Sequence, residues 1–279
     1  MNYAVVIGLL VVMTTVQAAR NSTEWLKYEE EWTRYKIQFG KVYTTREEEA
    51  RNGKIFRENL DYIFKHNQEA DRGLHSYRLG VTPFADMVEA IESYFAIAGH
   101  KLISRSAQQL VDCTGDYGNS RCSGGTVRNC FLYAEKASLM TEMDYPYVGR
   151  STKICKYKKA VSVRVSKITK IRRGSEADLK HAVATVGPVA ASIHGSEKDF
   201  YLYKSGIYDS CPTDHNGRYL DHALLVIGFR EEHDGKDYWI VKNSWGSAWG
   251  EGGYGKIAMN HDDMCGIADR ATYASVKEK

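Results

Sequence analysis

Trp25, Tyr28, Trp32, Tyr35 and Phe39 recur at steps of three, four, three and four residues. That spacing predicts a helix with one aromatic face, and Gly40 suits its C-terminal end. A second helix is predicted from Thr45, whose hydroxyl forms a capping box with Glu48. Glu48, Asn52, Phe56, Asn59, Ile63 and Asn67 then share one side of that helix. Further on, Thr82 and Pro83 read as an N-cap and a first helical position. Phe84, Val88, Ile91, Phe95 and Ala98 follow at steps of four, three, four and three, and Gly99 can end the run. This predicts one continuous helix from Thr82 to Gly99.

Residues 4–16 form an apolar run ended by Gln17-Ala18-Ala19. Small residues after a short apolar core predict a secretory leader cleaved near Ala18 or Ala19, although its amino end lacks Lys and Arg. No later run is long enough to span a bilayer. A secretory route permits disulfides, and Asn21-Ser22-Thr23 is a glycosylation sequon at Asn21. With 279 residues the chain suffices for a globular domain plus an accessory one. A net charge of +3 and a pI near 8.4 are too mild to argue for nucleic acid. The 19 Tyr point to aromatic packing with hydrogen-bonded rings.

The candidate chemistry lies toward the C-terminus. His222 sits in Leu220-Asp221-His222-Ala223, and Asn243 opens Asn243-Ser244-Trp245-Gly246-Ser247-Ala248-Trp249-Gly250. A His and an Asn in such apolar, glycine-rich runs suggest two thirds of a nucleophile–His–Asn triad. Glu48, Phe56, Asn59, Ile63 and Asn67 resemble the interspersed Glu-Arg-Phe-Asn-Ile-Asn motif of cathepsin L-like propeptides, with Asn52 at the Arg position. Gly80-Val81-Thr82-Pro83-Phe84-Ala85-Asp86 is similar to the Gly-Asn-Phe-Asp motif that follows it, with Thr82 in place of Asn. From Ala90 onward the chain resembles papain-like cysteine peptidases. The likeness runs through Leu110-Val111-Asp112-Cys113, Cys122-Ser123-Gly124-Gly125, Asp144-Tyr145-Pro146-Tyr147, Gly187-Pro188-Val189-Ala190 and the His222 and Asn243 runs.

The resemblance implies a Cys thiolate nucleophile, His222 as acid–base group, Asn243 as its orienter and Trp245 covering their hydrogen bond. The family signature Cys-Gly-Ser/Ala-Cys-Trp/Tyr lies some 130–150 residues before the His, and no such string occurs here. Counting back through the family's central helix puts the nucleophile's slot at Thr82, within propeptide-like sequence. A lone Thr hydroxyl is a poor substitute for a thiolate. Several dozen residues around the junction are thus expected to be missing.

The resemblance also implies disulfides Cys113–Cys155 and Cys211–Cys265. Cys122 is left without its family partner, and Cys130 is outside the family framework. A bond between these two is open, though loop-to-helix geometry speaks against it, and an unpaired thiol can link to another molecule. No His/Cys spacing suggests zinc, and neither metal nor cofactor is expected. Gly124 and Gly125 are expected to offer backbone hydrogen bonds to an extended peptide. Ala190 and Leu220 are expected to line the main specificity pocket. Arg270 is expected either at the floor of that pocket, favouring acidic side chains, or exposed before the last strand.

The expected fold is α+β. It comprises a leader at 1–19, a small helical propeptide-like module at 20–86, and a truncated two-lobe papain-like domain at 87–279. One lobe is helical and the other an antiparallel, barrel-like β lobe. The expected function is a secreted or lysosomal cysteine endopeptidase precursor, inactive as written. Two alternatives stand beside it: a pseudo-peptidase that binds and inhibits related cysteine peptidases, and a splice form or incomplete gene model of an active protease. Expected partners are peptide or protein substrates, or a related peptidase. Neither nucleic acid nor membrane is expected.

Overall fold

The computed structural model describes residues 28–37, 41–43, 45–79, 104–148, 150–152, 154–158, 164–211 and 220–277. The leader, Asn21, Trp25, Gly40 and the helix predicted across 82–99 lie outside the described residues. The chain divides into two compact units, residues 1–68 and 69–279.

In the first unit, helix α1 (residues 28–37) carries the predicted aromatic face, and α2 (Arg46–Asp71) begins just after Thr45. The Glu48 amide donates to Thr45 Oγ1 at 3.1 Å, which supplies half of the capping box. Trp32, Phe56, Leu60 and Ile63 are buried. The Trp32 ring stacks on Tyr35 and Tyr43, both at 5.5 Å, and meets Phe56 at 5.1 Å. Gly53 lies against the Trp32 indole, whose nearest ring atom is at an ordinary contact distance of 3.5 Å from where a Cβ would stand. Short helices gain most of their stability from such a packed face.

The second unit is built on an eight-stranded sheet. Its strands are β1 (Tyr77–Leu79), β2 (Arg164–Lys170), β3 (Val189–Ile193), β4 (Tyr203–Tyr208), β5 (His222–Arg230), β6 (Tyr238–Lys242), β7 (Tyr254–Ala258) and β8 (Thr272–Lys277). Their order is β1-β4-β7-β6-β5-β3-β8-β2, antiparallel except for the β4–β7 pair. Helices α3 (Ala107–Cys113) and α4 (Val127–Lys136) pack with Val165, Ala190, Leu225 and Ala274 of the sheet around Phe131, Leu139 and Tyr145. Helix α5 (Glu176–Thr185) and the short α6 (Lys198–Leu202) complete the unit.

Buried polar groups in the helical part satisfy one another, as a low-dielectric interior requires. The Asp112 carboxylate accepts from the Thr152 amide and hydroxyl, Gln108 Nε2 and the Tyr145 hydroxyl. Burial alone would raise this carboxyl; the hydrogen bonds, led by those from Thr152, outweigh it and hold it below its ordinary value. Cys113 and Cys155 are joined by a disulfide, as are Cys211 and Cys265. Cys265 lies in a run of left-handed backbone that also includes Asn260, Asp262 and Asp263. Glu176 holds that run, accepting from the Asn260 and Asp263 amides and from Trp239 Nε1.

Strand β1 forms one edge of the sheet beside β4. The Ile207 amide donates to Ser76 O at 3.0 Å, and Ser76 Oγ donates back to Ile207 O at 2.6 Å. Gly206, at φ 90°, makes this approach possible, since a Cβ there would stand 2.2 Å from Ser76 O. Tyr77 enters the interior and donates to Asp199 Oδ2 at 2.5 Å, while Tyr208 donates to Asp199 Oδ1 at 2.8 Å. The two rings meet edge to face at 4.9 Å. All three residues are buried.

Removing the carboxylate would take from two buried phenols the acceptor they share. Asp199→Ala is expected to lower the unfolding free energy by about 3 kcal/mol, and Tyr77→Phe by about 1 kcal/mol. Urea unfolding followed by fluorescence measures both; an Asp199→Ala change below about 0.5 kcal/mol would remove this clasp from the account.

Candidate active site

Antiparallel pairing of β5 with β6 sets Leu225 opposite Lys242 and Val226 opposite Val241. His222 opens β5 and Asn243 directly follows β6, so this register brings the two side chains to the same end of the hairpin. His222 Nε2 lies 2.9 Å from Asn243 Oδ1. The same oxygen accepts the Ser244 amide at 2.8 Å, and the Asn243 amide is tied to Gly253 O at 2.9 Å. An amide oxygen cannot donate, so Nε2 must carry the proton. The neutral ring then keeps its lone pair on Nδ1, the tautomer a general base needs.

Aromatic rings surround this pair. Trp245, 7% exposed, lies with its ring centroid 4.5 Å from the imidazole and stacks on Tyr201 at 4.9 Å and 4°. Phe200 meets both His222 and Trp245. Asn243 is buried, and its Nδ2 has no hydrogen-bond partner among the described residues. Burial lowers the His222 pKa from its ordinary 6.5; the Asn243 hydrogen bond and the nearby Asp221 carboxylate oppose that shift without reversing it.

The structure brings together His222, Asn243 and Trp245 and gives the other predicted residues separate places. Gly124, at φ 108°, and Gly125 are exposed in the loop before α4. Asn119 organises that loop, receiving the Thr126 amide at 2.8 Å and standing where a Cβ on Gly125 would clash. Ala190 is in the core beside Leu225, and Leu220 is half-buried just ahead of β5. Arg270 is exposed before β8. Cys122 is an exposed free thiol. Cys130 is also free, with Asn119 Nδ2 3.3 Å from its sulfur, and burial pushes its pKa up to about 11. No metal-holding group of His, Cys, Asp and Glu occurs among the described residues.

Sequence reasoning missed Gly195. A Cβ there would stand 2.6 Å from His222 Cβ, so the glycine makes room for the imidazole, and its amide donates to Asp221 Oδ1 at 2.9 Å. It missed Tyr201 and Phe200 as well. No spacing relates residues 195–201 to His222; the link exists only through β3 and β5, where Ile193 pairs with His222.

The papain family cysteine protease profile matches residues 84–275. The chain belongs to the papain family of cysteine peptidases. A cathepsin propeptide inhibitor domain profile matches residues 32–90. Cathepsin L of Sarcophaga peregrina is 33% identical, with 98% of this chain and 99% of that protein covered. Cathepsin L1 of Drosophila melanogaster is 31% identical, with 99% of this chain and 92% of that protein covered. Among solved structures, digestive procathepsin L 3 of Tenebrio molitor larval midgut superposes with a TM-score of 0.80 at 27% identity, covering 89% of this chain and 99% of that one. The chain is therefore a cathepsin L-like cysteine peptidase precursor, of a family that acts on peptide or protein substrates.

The lowered pKa of His222 gives a direct expectation: the imidazole is neutral at pH 7 and titrates below 6.5. NMR titration of the ring resonances measures this. A midpoint above about 7 would show an anionic partner beside the ring that the account lacks.

Proposed function

We propose that this precursor is inactive as a peptidase because its site holds the acid–base half of the machinery and no nucleophile. The observation that carries this is the accounting of its six cysteines. Four are in disulfides, Cys122 is an exposed free thiol, and Cys130 is hydrogen-bonded by Asn119. A raised pKa makes Cys130 a weak source of thiolate. In the family chemistry a thiolate must sit beside Nδ1 of the His, attack the substrate carbonyl and receive the acyl group. Without it, His222 and Asn243 have no covalent step to serve.

Two further observations support a lost internal segment. The alignment with the Sarcophaga peregrina relative extends over 342 positions, against 279 residues in this chain. The propeptide and peptidase matches overlap at residues 84–90, leaving no residue between them. The missing stretch corresponds to the cleft-filling pro-segment, the oxyanion-hole donor and the nucleophile. Deleting the front of the central helix also removes apolar cover from the helical lobe. A transcript carrying an extra exon between codons 86 and 89 would make this chain a splice form or an incomplete gene model of an active enzyme.

A second reading is favoured by the propeptide match over residues 32–90: the chain binds and restrains a related cysteine peptidase. Its aromatic α1–α2 pair supplies a folded element for such binding. The apolar run at residues 4–16 supports a secretory route for either version, as a secreted or lysosomal protein. Among the described residues no helix is long and apolar enough to cross a membrane.

One experiment addresses both readings. The purified chain is incubated with a thiol-alkylating peptidyl epoxide and, separately, added to an active cathepsin L-like enzyme. The intact mass is expected to stay unchanged, and slowing of the active enzyme at micromolar chain would support the inhibitor reading. A single adduct that disappears in His222→Ala would overturn the claim of inactivity, and an unaffected enzyme would remove the inhibitor reading.

A further inference from the structure

The mild net charge of the chain conceals a strongly uneven distribution. Between Asp144 and Glu176 lie Arg150, Lys153, Lys156, Lys158, Lys159, Arg164, Lys167, Lys170, Arg172 and Arg173, without one Asp or Glu. Those ten cations turn a total of +3 into −7 for the rest of the chain. Met143, just ahead of this stretch, and the first part of the stretch itself expose apolar side chains. Met143 is 88% exposed, Tyr147 44%, Val148 51% and Ile154 67%. Four of the nine large apolar side chains exposed among the described residues therefore fall within twelve positions.

The loop that carries them is firmly held. The Tyr147 amide donates to Glu142 Oε1, Val148 to Gln108 Oε1, Thr152 to Asp112 Oδ1 and Lys156 to the Tyr145 hydroxyl. Gln108 Nε2 donates to Arg150 O, and the Cys113–Cys155 disulfide fastens the loop to α3. Four amides and one carbonyl of the loop are thus held by side chains, while Met143, Tyr147, Val148 and Ile154 are exposed. Two carboxylates stand beside them, Glu142 taking the Tyr147 amide and the exposed Asp144 the Thr141 hydroxyl, and the basic side chains of the stretch outnumber them. Arg150, Lys156 and Lys158 are exposed.

We propose that the loop from Met143 to Lys158 is a peripheral docking surface for an anionic lipid membrane. Basic side chains are drawn to acidic headgroups, while Met143, Tyr147, Val148 and Ile154 enter the interfacial layer. The apolar side chains decide between lipid and a sulfated polysaccharide, since a polysaccharide has no layer to receive them. Lys167 and Lys170 on the edge strand β2 also discourage pairing with another chain. The sequence-based expectation of no membrane partner rested on the lack of a spanning run, and interfacial binding needs none. The inference does not depend on whether the peptidase site is active.

The test is co-sedimentation of the full-length chain with phosphatidylcholine vesicles, with and without phosphatidylserine, at low and high salt. Binding is expected only with phosphatidylserine and is expected to weaken with salt. Lys156→Glu with Lys158→Glu is expected to lower binding at least about tenfold, and Met143→Ser with Ile154→Ser about tenfold. All four positions are exposed, and an unchanged unfolding midpoint checks that each variant is folded; Met143→Gln with Ile154→Thr serves as a milder pair. No binding to phosphatidylserine vesicles would overturn the proposal. So would binding that heparin displaces and the apolar substitutions leave unchanged, the result expected of a polysaccharide site.

Discussion

The side-chain oxygen of Asn243 takes two donors at once, the Ser244 amide and His222 Nε2, at 2.8 and 2.9 Å. Fixing that oxygen fixes the imidazole tautomer, the ring orientation and the direction in which a basic lone pair is presented. The oxygen is held in turn by the Asn243 amide on Gly253 O and by the β5–β6 register that ends beside it. Trp245 covers the pair, and Gly195 vacates the space His222 needs. Such a buried, doubly bonded acceptor is a preorganised feature, worth more in a dry site than on a surface. The His222–Asn243 pair is therefore assembled by the β-rich part of the chain.

The same logic of acceptors satisfied by several donors, buried at Asp112 and Asp199 and half-buried at Glu176, runs through the second unit. Asp112 gathers Gln108, Tyr145 and Thr152; Asp199 gathers Tyr77 and Tyr208; Glu176 gathers Trp239 and the left-handed loop before Cys265. Each is costly if half-satisfied and specific if complete. The Asp199 clasp ties residues just after the propeptide-like helices into the sheet, so the N-terminal sequence is part of the folded peptidase unit from Glu69 onward.

Much of this was legible in the residues. Helical periodicity placed the aromatic face of α1 and the start of α2, because local spacing alone determines which side chains share a helix face. The His222 and Asn243 runs pointed to one another, because their apolar and glycine-rich surroundings are what a covered hydrogen bond requires. An abundance of Tyr pointed to buried phenols with partners, and Tyr77, Tyr133, Tyr145, Tyr203 and Tyr208 are each buried and hydrogen-bonded. What escaped was long-range. Tyr77 and Asp199 are 122 positions apart, and nothing local distinguishes either from a surface residue. β1 is only three residues long and becomes a strand through its neighbour β4. Gly195 acquires its role only when β3 and β5 pair.

The central claim is that a well-ordered His222–Asn243 pair stands without a nucleophile. Hydrolysis of a fluorogenic peptide by the purified, acid-treated full-length chain tests it most directly, read against an active cathepsin L-like enzyme at equal concentration. The account predicts a rate at least about 10⁵-fold lower, unchanged by Cys122→Ser, Cys130→Ser or His222→Ala. Turnover within about a hundredfold of the active enzyme that His222→Ala abolishes would contradict it.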